Sequence, residues 1–560
     1  MTTQSLLTDE GKTLPPLPWN VYPRPQLVRE DWLCLNGKWG LSFNGKQREI
    51  TVPFCPESLL SGLEEAPAPA EELSYSKSFE LPISWRGRKI ILHFGAVGRD
   101  TRVFLNGEEV CRNDNGFLPF EADITPFTLE GENTLLIKTV NDLNPVYPLG
   151  KQSEKRGGMW YTPCSGIWQS VWLEPVPEEY IRSLKITGNE KKAEIEISGV
   201  NEGFAEFEGR LIPFENGHVE LQPEQPELWS PENPRLYSFS IVSGEDRISS
   251  YFALRTLSVE EIEGFERLCL NGKPFFFNGV LDQVYWCDGL YTPAEPSLFE
   301  KDILAMKSLG FNTLRKHIKI EPEQFYYLCD KLGMIVFQDM VNNGKYRFFR
   351  DTALPTIGLK HFDDRLINRD CKTHEVFMDC LEKTVSLLSN HPSICLWTIF
   401  NEGWGQHRSD EAYRFLKELD PSRFIDSTSG WFAGKESDVA SHHIYFGKIR
   451  LSKSSRPHIL SECGGYVFKL PEHSFNLSKT YGYRIYKSRE ELLKNLRILY
   501  ESSLLPLVPK GLCGIVYTQL SDVEDETNGL FTFDRKILKI KPEDIKPVMD
   551  KFSLAIGAGK

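Results

Sequence analysis

Two glutamates stand in matching positions of the sequence. Glu402 follows the apolar run 393–401, Glu462 follows the run 459–461, and glycine comes within two residues of each acid. A carboxylate at the end of a buried strand costs free energy unless it is paired, solvated or used. Two converging carboxylates are the minimal equipment for glycoside hydrolysis, in which one protonates the leaving oxygen and the other attacks the anomeric carbon or activates water. The alternative is that each acid is an ordinary ion-pair partner.

Other side chains that suit a sugar site stand near these acids or at comparable positions. Asn401, directly before Glu402, is placed to hydrogen-bond a sugar 2-hydroxyl. Aromatic rings that can face a sugar are expected in loops at Trp286, Tyr291, Trp404, Trp431 and Tyr466. Polar residues at other strand ends are candidates for substrate contact, with ion pairing as the alternative: Arg315, His317, Lys319, Asp339 and Asp522.

The second half of the chain alternates strand-like runs with longer amphipathic stretches. The run 393–401 has the β-branched and aromatic composition of a strand buried on both faces. About eight such strands in roughly 300 residues, with helical patterns such as 297–309 between them, predict a (β/α)8 TIM barrel over residues 260–560. Because these barrels place their chemistry after the strands, Glu402 and Glu462 are expected to face the same mouth.

Two regions of short alternating strands come before the barrel. The runs 89–94, 101–105 and 134–140, with Asn106-Gly107 as a hairpin turn, predict a jelly-roll, sugar-binding-like β-sandwich over residues 1–177. Residues 178–259 predict a smaller immunoglobulin-like β-sandwich. The glycine- and aromatic-rich segment 156–163 is either a surface turn or a loop that reaches into a neighbouring domain's pocket.

Composition narrows the possible partners. The chain has 560 residues and a formal net charge of −13, which argues against nucleic acid or an anionic membrane as the main partner. No apolar run approaches the roughly 20 residues of a membrane helix, and the first ten residues lack a secretory pattern. The 12 Cys are scattered without a Cys-x-x-Cys pair, which predicts reduced thiols and a cytoplasmic location.

Short motifs along nearly the whole chain resemble glycoside hydrolase family 2, the family of β-galactosidases, β-glucuronidases and β-mannosidases. In chain order these motifs are 22–27, 35–39, 165–174, 228–237 and 270–280. The resemblance implies retention through a covalent glycosyl-enzyme, with Glu402 as acid/base, Glu462 as nucleophile, and Asn401 and Tyr445 as substrate-binding residues. It follows that donors should keep Glu462 ionised, and that the two carboxyl groups should lie about 5 to 5.5 Å apart.

Departures from the family pattern bear on the sugar. The usual Asn-Arg-His is replaced by Leu281-Asp282-Gln283, and the segment 315–319 has its histidine one position early. The Asn-x-Lys of β-glucuronidases keeps Asn528 but has Leu530 in place of the lysine. These residues predict a β-galactosidase-like exo-β-glycosidase, with Asp282 and Asn528 added to the substrate-binding set. The alternative is a uronidase in which Arg315, Lys316 or Lys319 holds the sugar carboxylate.

A function from another class is a catalytically silent carbohydrate-binding relative, because jelly-roll and sandwich domains bind glycans; retention of both glutamates argues against it. No cofactor is expected to be required, and a stabilising monovalent or divalent cation stays an open alternative. His442 and His443 predict hydrogen-bonding roles rather than a metal site, because no carboxylate or Cys stands at ligand spacing on the same element. The expected partners are a glycoside or oligosaccharide substrate and further copies of the chain, in a dimer or tetramer.

Overall fold

The structure is a computed structural model, and it describes residues 3–283, 285–356, 359 and 364–557. The N-terminal region forms two antiparallel sheets that pack on a common apolar core. The order of the four-stranded sheet is β1-β10-β5-β8, and that of the six-stranded sheet is β3-β2-β4-β9-β6-β7. Their strands are β1 (Leu33–Cys34), β2 (Gly37–Phe43), β3 (Lys46–Val52), β4 (Glu72–Glu80), β5 (Lys89–Phe94), β6 (Thr101–Leu105), β7 (Glu108–Asn113), β8 (Phe120–Asp123), β9 (Glu132–Val140) and β10 (Val171–Val176).

A second, smaller β-sandwich follows. Its sheets have the orders β11-β12-β15 and β14-β13-β16-β17, and the alternating buried residues of both sheets form one core. The strands are β11 (Ser183–Gly188), β12 (Ala193–Ser198), β13 (Gly203–Phe207), β14 (Arg210–Phe214), β15 (His218–Leu221), β16 (Tyr237–Ser243) and β17 (Asp246–Phe252). In β12 each Ala or Ile is buried and each Glu or Ser is exposed. This alternation places the apolar face of the strand toward the core.

A short antiparallel sheet leads into the barrel and covers its lower end. It consists of β18 (Leu257–Ile262), β19 (Phe265–Leu270) and β20 (Lys273–Pro274), and β18 runs across the expected domain boundary at 259/260, which stays a prediction. Leu268 and Leu270 of β19 share an apolar cluster with Phe277 and Phe337 inside the barrel. The sheet therefore closes the end of the barrel opposite the strand ends that carry the acids.

The barrel itself is a parallel sheet of eight strands, with the order β25-β24-β23-β22-β21-β30-β27-β26. Its strands are β21 (Phe277–Asp282), β22 (Thr313–Lys316), β23 (Ile335–Asp339), β24 (Ile394–Asn401), β25 (Phe424–Ser429), β26 (Ala440–Ile444), β27 (His458–Gly464) and β30 (Leu512–Thr518). The two end strands are joined by a hydrogen bond of 2.9 Å between Ser429 and His443, so the sheet is nearly closed. All eight residues of β24 are buried, as the composition of this run predicts.

Helices pack around the barrel in alternation with the strands. They are α1 (Ser297–Leu309), α2 (Glu323–Leu332), α3 (Leu354–Thr356), α4 (Cys371–Leu388), α5 (Ser409–Leu419), α6 (Arg489–Arg497) and α7 (Pro542–Gly557), and a small pair of strands, β28 (Tyr466–Val467) and β29 (Arg484–Ile485), lies beside β27. Gly310, at a φ of 95°, ends α1 in the left-handed conformation that glycine adopts at low cost. The multidomain fold with jelly roll, sandwich and TIM barrel is confirmed. No helix in the described part of the chain is long and apolar enough to cross a membrane.

Candidate active site

A tight turn at the end of β24 presents Glu402 at the barrel mouth. Asn401 is the last residue of the strand, and Glu402 takes the left-handed φ of 51°, an uncommon backbone conformation for a residue with a side chain. Its backbone N–H donates to the Ser429 carbonyl at 2.9 Å. Gly403 follows at a φ of 75°, and a Cβ there would lie 2.3 Å from the Phe432 ring. The glycine after the acid is therefore required by both conformation and space.

Glu462 lies inside β27, two residues before its end, rather than after the strand as the sequence suggested. Its side chain is only 7% exposed, against 19% for Glu402. Gly464 follows at a φ of 85°, where a Cβ would lie 2.4 Å from the Tyr517 ring. Glu462 is thus the more enclosed of the two acids, and Glu402 is the one with access to solvent.

The ring of His443 lies between the two acids. Its Nδ1 is 2.7 Å from Glu402 Oε1, and its Nε2 is 3.5 Å from Glu462 Oε1 and 2.9 Å from Ser429 Oγ. A carboxylate oxygen of Glu402 and one of Glu462 lie within 4.8 Å of each other. The two predicted acids therefore converge on one point at the barrel mouth.

Arg315, at the end of β22, organises the floor of this site. Its guanidinium donates two hydrogen bonds of 3.0 Å to the Asp339 carboxylate, one of 3.1 Å to Glu462 Oε1 and one of 2.8 Å to Asn401 Oδ1. The side chain is 1% exposed, so its charge is balanced entirely inside the protein. Because Asn401 accepts through Oδ1, its Nδ2 group remains the one available to donate to a ligand.

Charges around Glu462 keep it ionised. Burial alone would raise the pKa of Glu462, but the neighbouring His443 and Arg315 lower it to about 2. Burial likewise opposes ionisation of Asp339, and Arg315 and His317 nevertheless hold the pKa of that carboxyl below its usual range. The site thus supplies the donors that a carboxylate nucleophile needs in order to stay ionised.

Three further residues of the expected set face this cluster. His317 Nδ1 lies 2.6 Å from Asp339 Oδ2, while its buried Nε2 has no hydrogen-bond partner among the described residues. Tyr445 donates its hydroxyl to Glu462 Oε2, and its ring stacks on Tyr483 with 3.7 Å between centroids. Trp431 approaches His443 edge-on, with 5.6 Å between ring centroids. These contacts place all three predicted side chains at or beside the acids.

A loop from the jelly roll forms one wall of the site. The segment between β9 and β10 crosses to the barrel, where the Trp160 ring packs edge-on against Trp404 at 5.1 Å and against Tyr346 at 4.9 Å. Trp404, 4% exposed, also donates its indole N–H to the Gly344 carbonyl at 2.9 Å. Of the two interpretations of the segment 156–163, the structure favours a loop that reaches into the neighbouring domain.

The same loop binds the segment that follows β30. Arg156 Nη1 lies 3.4 Å from Asp525 Oδ1, and the Thr162 N–H donates to Glu524 Oε1 at 2.9 Å. Tyr161 donates its hydroxyl to the buried Glu526. Glu526 could not be recognised in the sequence, because no local pattern links residues more than 360 positions apart.

Three residues of the expected substrate-binding set lie elsewhere. Trp286 is a core residue: its ring packs edge-on against Phe299 at 5.8 Å and under the Arg535 guanidinium at 4.3 Å. Asp282 is paired in register with Lys316 and forms a buried ion pair with it. Asn528 is fully buried and donates to Glu526 Oε1 at 3.1 Å, so it supports that acid rather than touching Glu402 or Glu462. The structure thus places Trp286 and Asp282 away from the two glutamates, and their contact with substrate stays a prediction.

The two lysines considered as carboxylate binders also point away from the acids. Successive strand residues face opposite sides of a sheet, so Arg315 faces the barrel interior and Lys316 faces the helices. Lys316 lies 3.0 Å from Glu321, with its ammonium 3.9 Å from the Phe325 ring centroid. Lys319 pairs with Glu321 at 2.9 Å and is fully buried. Neither ammonium is directed at the site.

The described residues include one group that could hold a cation by proximity. It consists of Glu402, His443 and Glu462, whose ligand atoms lie within 4.8 Å of one another. Arg315 already places a guanidinium 3.1 Å from Glu462 Oε1, and a metal ion there would meet that positive charge. The arrangement suits acid–base chemistry at two carboxylates better than it suits metal binding.

Comparisons with known proteins agree with this architecture. Residues 61–177 match the family model for the sugar binding domain of glycosyl hydrolases family 2, and residues 261–453 match its TIM barrel domain. A putative beta-glucuronidase of Formosa agariphila is 26% identical over 422 residues, 69% of this chain and 37% of the relative. A beta-galactosidase of Halalkalibacterium halodurans is 24% identical over 406 residues, 66% of this chain and 37% of the relative. The chain thus spans little more than a third of the length of these curated relatives.

Solved structures show the same fold at lower identity. The beta-D-glucuronidase of Dictyoglomus thermophilum is 20% identical, with a TM-score of 0.72 over 95% of this chain and 98% of the other. A beta-galacturonidase of Eisenbergiella tayi bound to galacturonate is 20% identical, with a TM-score of 0.68 over 95% of this chain and 99% of the other. At 20% identity this likeness shows a common fold over 95% of the chain.

Proposed function

Because the chain belongs to glycoside hydrolase family 2, we propose that it is an exo-β-glycosidase that hydrolyses terminal β-glycosides with retention of configuration. The observation that carries the proposal is the distance of at most 4.8 Å between carboxylate oxygens of Glu402 and Glu462. Retaining enzymes need their carboxyl groups about 5 to 5.5 Å apart, whereas inverting enzymes leave about 6.5 to 9.5 Å for a water molecule. The spacing supports direct attack by one carboxylate.

Glu462 is the proposed nucleophile. Its low pKa keeps it charged, and a carboxylate oxygen can then bond to the anomeric carbon as the bond to the leaving oxygen breaks. Glu402, the more exposed acid, gives its proton to that leaving oxygen. In the second step Glu402 takes a proton from water, the water oxygen bonds to the anomeric carbon, and Glu462 is released as a carboxylate.

Asn401 is proposed to strengthen the transition state. Arg315 fixes the amide by donating to its Oδ1, which leaves Nδ2 to donate to the sugar 2-hydroxyl. That contact gains strength as positive charge develops at the anomeric carbon. Tyr445 acts on the nucleophile itself, because its hydroxyl donates to Glu462 and can release that oxygen when the covalent bond forms.

The sugar is a separate question from the reaction class. Relatives are called beta-galactosidases and beta-glucuronidases alike, so their names favour neither sugar. A β-galactosidase-like specificity is proposed from Leu530, which stands where the sequence analysis expects the uronate lysine of glucuronidases. The second candidate is a uronidase, the activity that some of the relatives' names give. The buried ion pairs of Lys316 and Lys319 argue against the form of it that uses those lysines.

A panel of nitrophenyl β-glycosides tests the reaction class. Wild type is expected to hydrolyse at least one of the galactoside, glucoside, mannoside, glucuronide and galacturonide, and Glu462→Ala is expected to lose at least about 10⁴-fold in kcat, because no nucleophile remains. Glu402→Ala should retain far more activity on a dinitrophenyl glycoside than on an alkyl glycoside, since only the poor leaving group needs the proton.

Glu130→Ala serves as the matched control, because this glutamate lies on the jelly-roll surface with its side chain 85% exposed. It should behave as wild type on every substrate. Hydrolysis by Glu462→Ala at the wild-type rate would contradict the proposed role of Glu462 as the nucleophile. A wild type that binds glycans but cleaves none of them would instead identify a carbohydrate-binding relative without catalysis.

A further inference from the structure

The loop that joins β9 to β10 is anchored to the barrel by its backbone as well as by its side chains. The Leu149 N–H donates to the Asn342 carbonyl at 2.9 Å, and the Gly344 N–H donates to the Pro145 carbonyl at 2.6 Å. These bonds join the jelly roll to the loop after β23. The backbone of residues 145–161 is therefore held against the barrel, and the side chains of this loop have fixed positions beside the site.

Lys151 is the cation that this loop brings to the mouth of the barrel. Its carbonyl accepts from the Tyr161 N–H at 3.0 Å, and Gly150 before it, at a φ of 64°, lies so close to the barrel that a Cβ would be 2.7 Å from the Tyr291 hydroxyl. The side chain is half-buried. Within the described part of the chain, its ammonium makes no hydrogen bond and has no carboxylate oxygen within 4.0 Å.

Lys151 stands at the mouth of the barrel, because the neighbouring Gly150 lies beside Ile318, whose carbonyl would be 3.4 Å from a Cβ at residue 150. Its charge contributes to lowering the pKa of Glu462 and of His317, and it opposes the rise in the pKa of Glu526 that burial causes. These three groups come from β27, from the end of β22 and from the segment after β30. Leu149 contacts the segment after β23 and Gly150 contacts the segment after β22, so Lys151 lies beside the strand ends that border the proposed sugar site.

Glu526 is the group in this space that the proposed mechanism does not use. It is 2% exposed, and its carboxylate accepts from the Tyr161 hydroxyl and from Asn528 Nδ2. No cation lies within 4.0 Å of it among the described residues. A row of tyrosine rings connects Glu526 with the nucleophile. The backbone of Tyr481 bonds to both neighbours of Glu526, its ring lies 6.4 Å from that of Tyr483, and Tyr483 stacks on Tyr445, which donates to Glu462. Buried carboxylates without a paired cation are rare outside functional sites.

We propose that Lys151 and Glu526 bind two hydroxyls of the glycone, with the ammonium donating to one and the carboxylate accepting from the other. The pair thereby selects a neutral hexopyranoside over a uronide. The inference rests on the proposed function and names the sugar class that this site takes. Each charged group then gains a hydrogen-bond partner from the sugar, which is how polar side chains fix the orientation of a bound ligand.

A uronide fits these charges less well. Its carboxylate would need the Lys151 ammonium, whose positive charge otherwise favours the ionised form of the buried Glu526. One of the two carboxylates would then be left without a cation in an enclosed site, close to the negative charge of Glu462. Specificity against a competitor is often achieved by such an unpaired charge.

The test compares Lys151→Met and Glu526→Gln on neutral nitrophenyl β-glycosides, on their monodeoxy analogues and on the nitrophenyl uronides. Lys151→Met is expected to lower kcat/KM about 10- to 100-fold on the best neutral glycoside, the usual effect of losing one hydrogen bond to a charged group. The deoxy glycoside that lacks the hydroxyl bound by Lys151 should already be a slow substrate for wild type. On that substrate Lys151→Met should lower kcat/KM little further. Glu526→Gln should raise the ratio of uronide to neutral kcat/KM.

Lys155→Met is the matched control, because Lys155 is an exposed lysine of the same loop. Thermal unfolding midpoints verify that each variant is folded. The inference is overturned if Lys151→Met matches Lys155→Met on every substrate, or if wild type prefers uronides and Lys151→Met removes that preference. If wild type cleaves no glycoside at all, the proposed function fails first and this inference falls with it.

Discussion

Glu462 shows how one carboxylate can be both buried and charged. Its two oxygens receive a guanidinium hydrogen bond from Arg315 and a hydroxyl hydrogen bond from Tyr445, and His443 lies at 3.5 Å. The resulting pKa of about 2 means that Glu462 is ionised throughout the pH range in which most proteins remain folded.

The first prediction concerns His443, the foremost of the neighbours that lower the pKa of Glu462. His443→Gln removes this neighbour, so the pKa of Glu462 should rise. A protonated carboxyl group is not a nucleophile, and a higher pKa therefore moves the acid limb of the kcat/KM profile to higher pH. We also expect at least a tenfold drop in kcat/KM at the optimum, because His443 contacts both acids. Initial rates from pH 3 to pH 9 measure both effects.

The neighbouring histidine provides the control. His442 Nε2 lies 3.2 Å from His458 Nδ1, on the other side of β26 from the acids. His442→Gln should leave the position of the acid limb unchanged. An acid limb of His443→Gln that coincides with that of wild type would show that His443 does not set the ionisation of Glu462.

At the scale of elements, the loop between β9 and β10 completes a site that the barrel alone leaves open. Trp160 from this loop stands against Trp404, two residues after Glu402, and Tyr161 binds Glu526. The barrel strands supply the reacting carboxylates, and the jelly roll supplies part of the wall. The two regions are therefore expected to depend on each other for activity.

The second prediction is that Trp160→Ala lowers kcat/KM about 10- to 100-fold while the protein stays folded. Removing the indole opens the wall beside Trp404, so the Glu402 turn loses a packed neighbour and the substrate loses an apolar surface. Steady-state kinetics on the best nitrophenyl glycoside and the thermal unfolding midpoint check the two parts. Phe204→Ala, an aromatic truncation on the half-exposed surface of the smaller sandwich, is the control. Wild-type kinetics for Trp160→Ala would contradict a role of the loop in the site.

Local pattern predicted the elements well because their signals are local. Helix α1 begins and ends where its apolar period and Gly310 predict, and each of the eight expected strands is present. Side-chain direction was harder to predict from position alone. Asp282 and Trp286 lie near the end of β21, yet register and a tight turn direct both side chains toward the helix layer. Lys151 and Glu526 come to the same end of the barrel only because two domains dock, and no sequence period encodes that arrangement.

At the scale of the whole molecule, one buried carboxylate joins the N-terminal segment to the jelly roll. Glu174 of β10 accepts from Arg24 at 2.6 Å, from Arg29 at 3.1 Å and from Tyr22 at 2.8 Å, and it is fully buried. Arg29 extends the network to the smaller sandwich, where it donates two hydrogen bonds to Asp246. Three regions of the chain thus share one set of buried charges.

The third prediction is that Glu174→Gln destabilises the protein by about 3 kcal/mol at pH 7, the usual cost of leaving buried arginines without their partner. Burial would raise the pKa of Glu174, but Arg24, His93 and Arg29 lower it from 4.5 to about 2. As the pH falls, the unfolded chain takes up this proton first. The stabilisation by Glu174 is therefore complete above about pH 4.5 and is lost as the pH falls toward 2.

Calorimetric unfolding midpoints at pH 7 and at pH 3 measure this dependence. The difference in unfolding midpoint between wild type and Glu174→Gln should be large at pH 7 and clearly smaller at pH 3. At pH 3 the wild-type carboxylate contributes less stability, whereas the amide has no proton to gain. Glu178→Gln, at a side chain 84% exposed near the end of the same domain, should show no gap at either pH. A gap of the same width at both pH values would mean that packing around residue 174, rather than its charge, holds the three regions together.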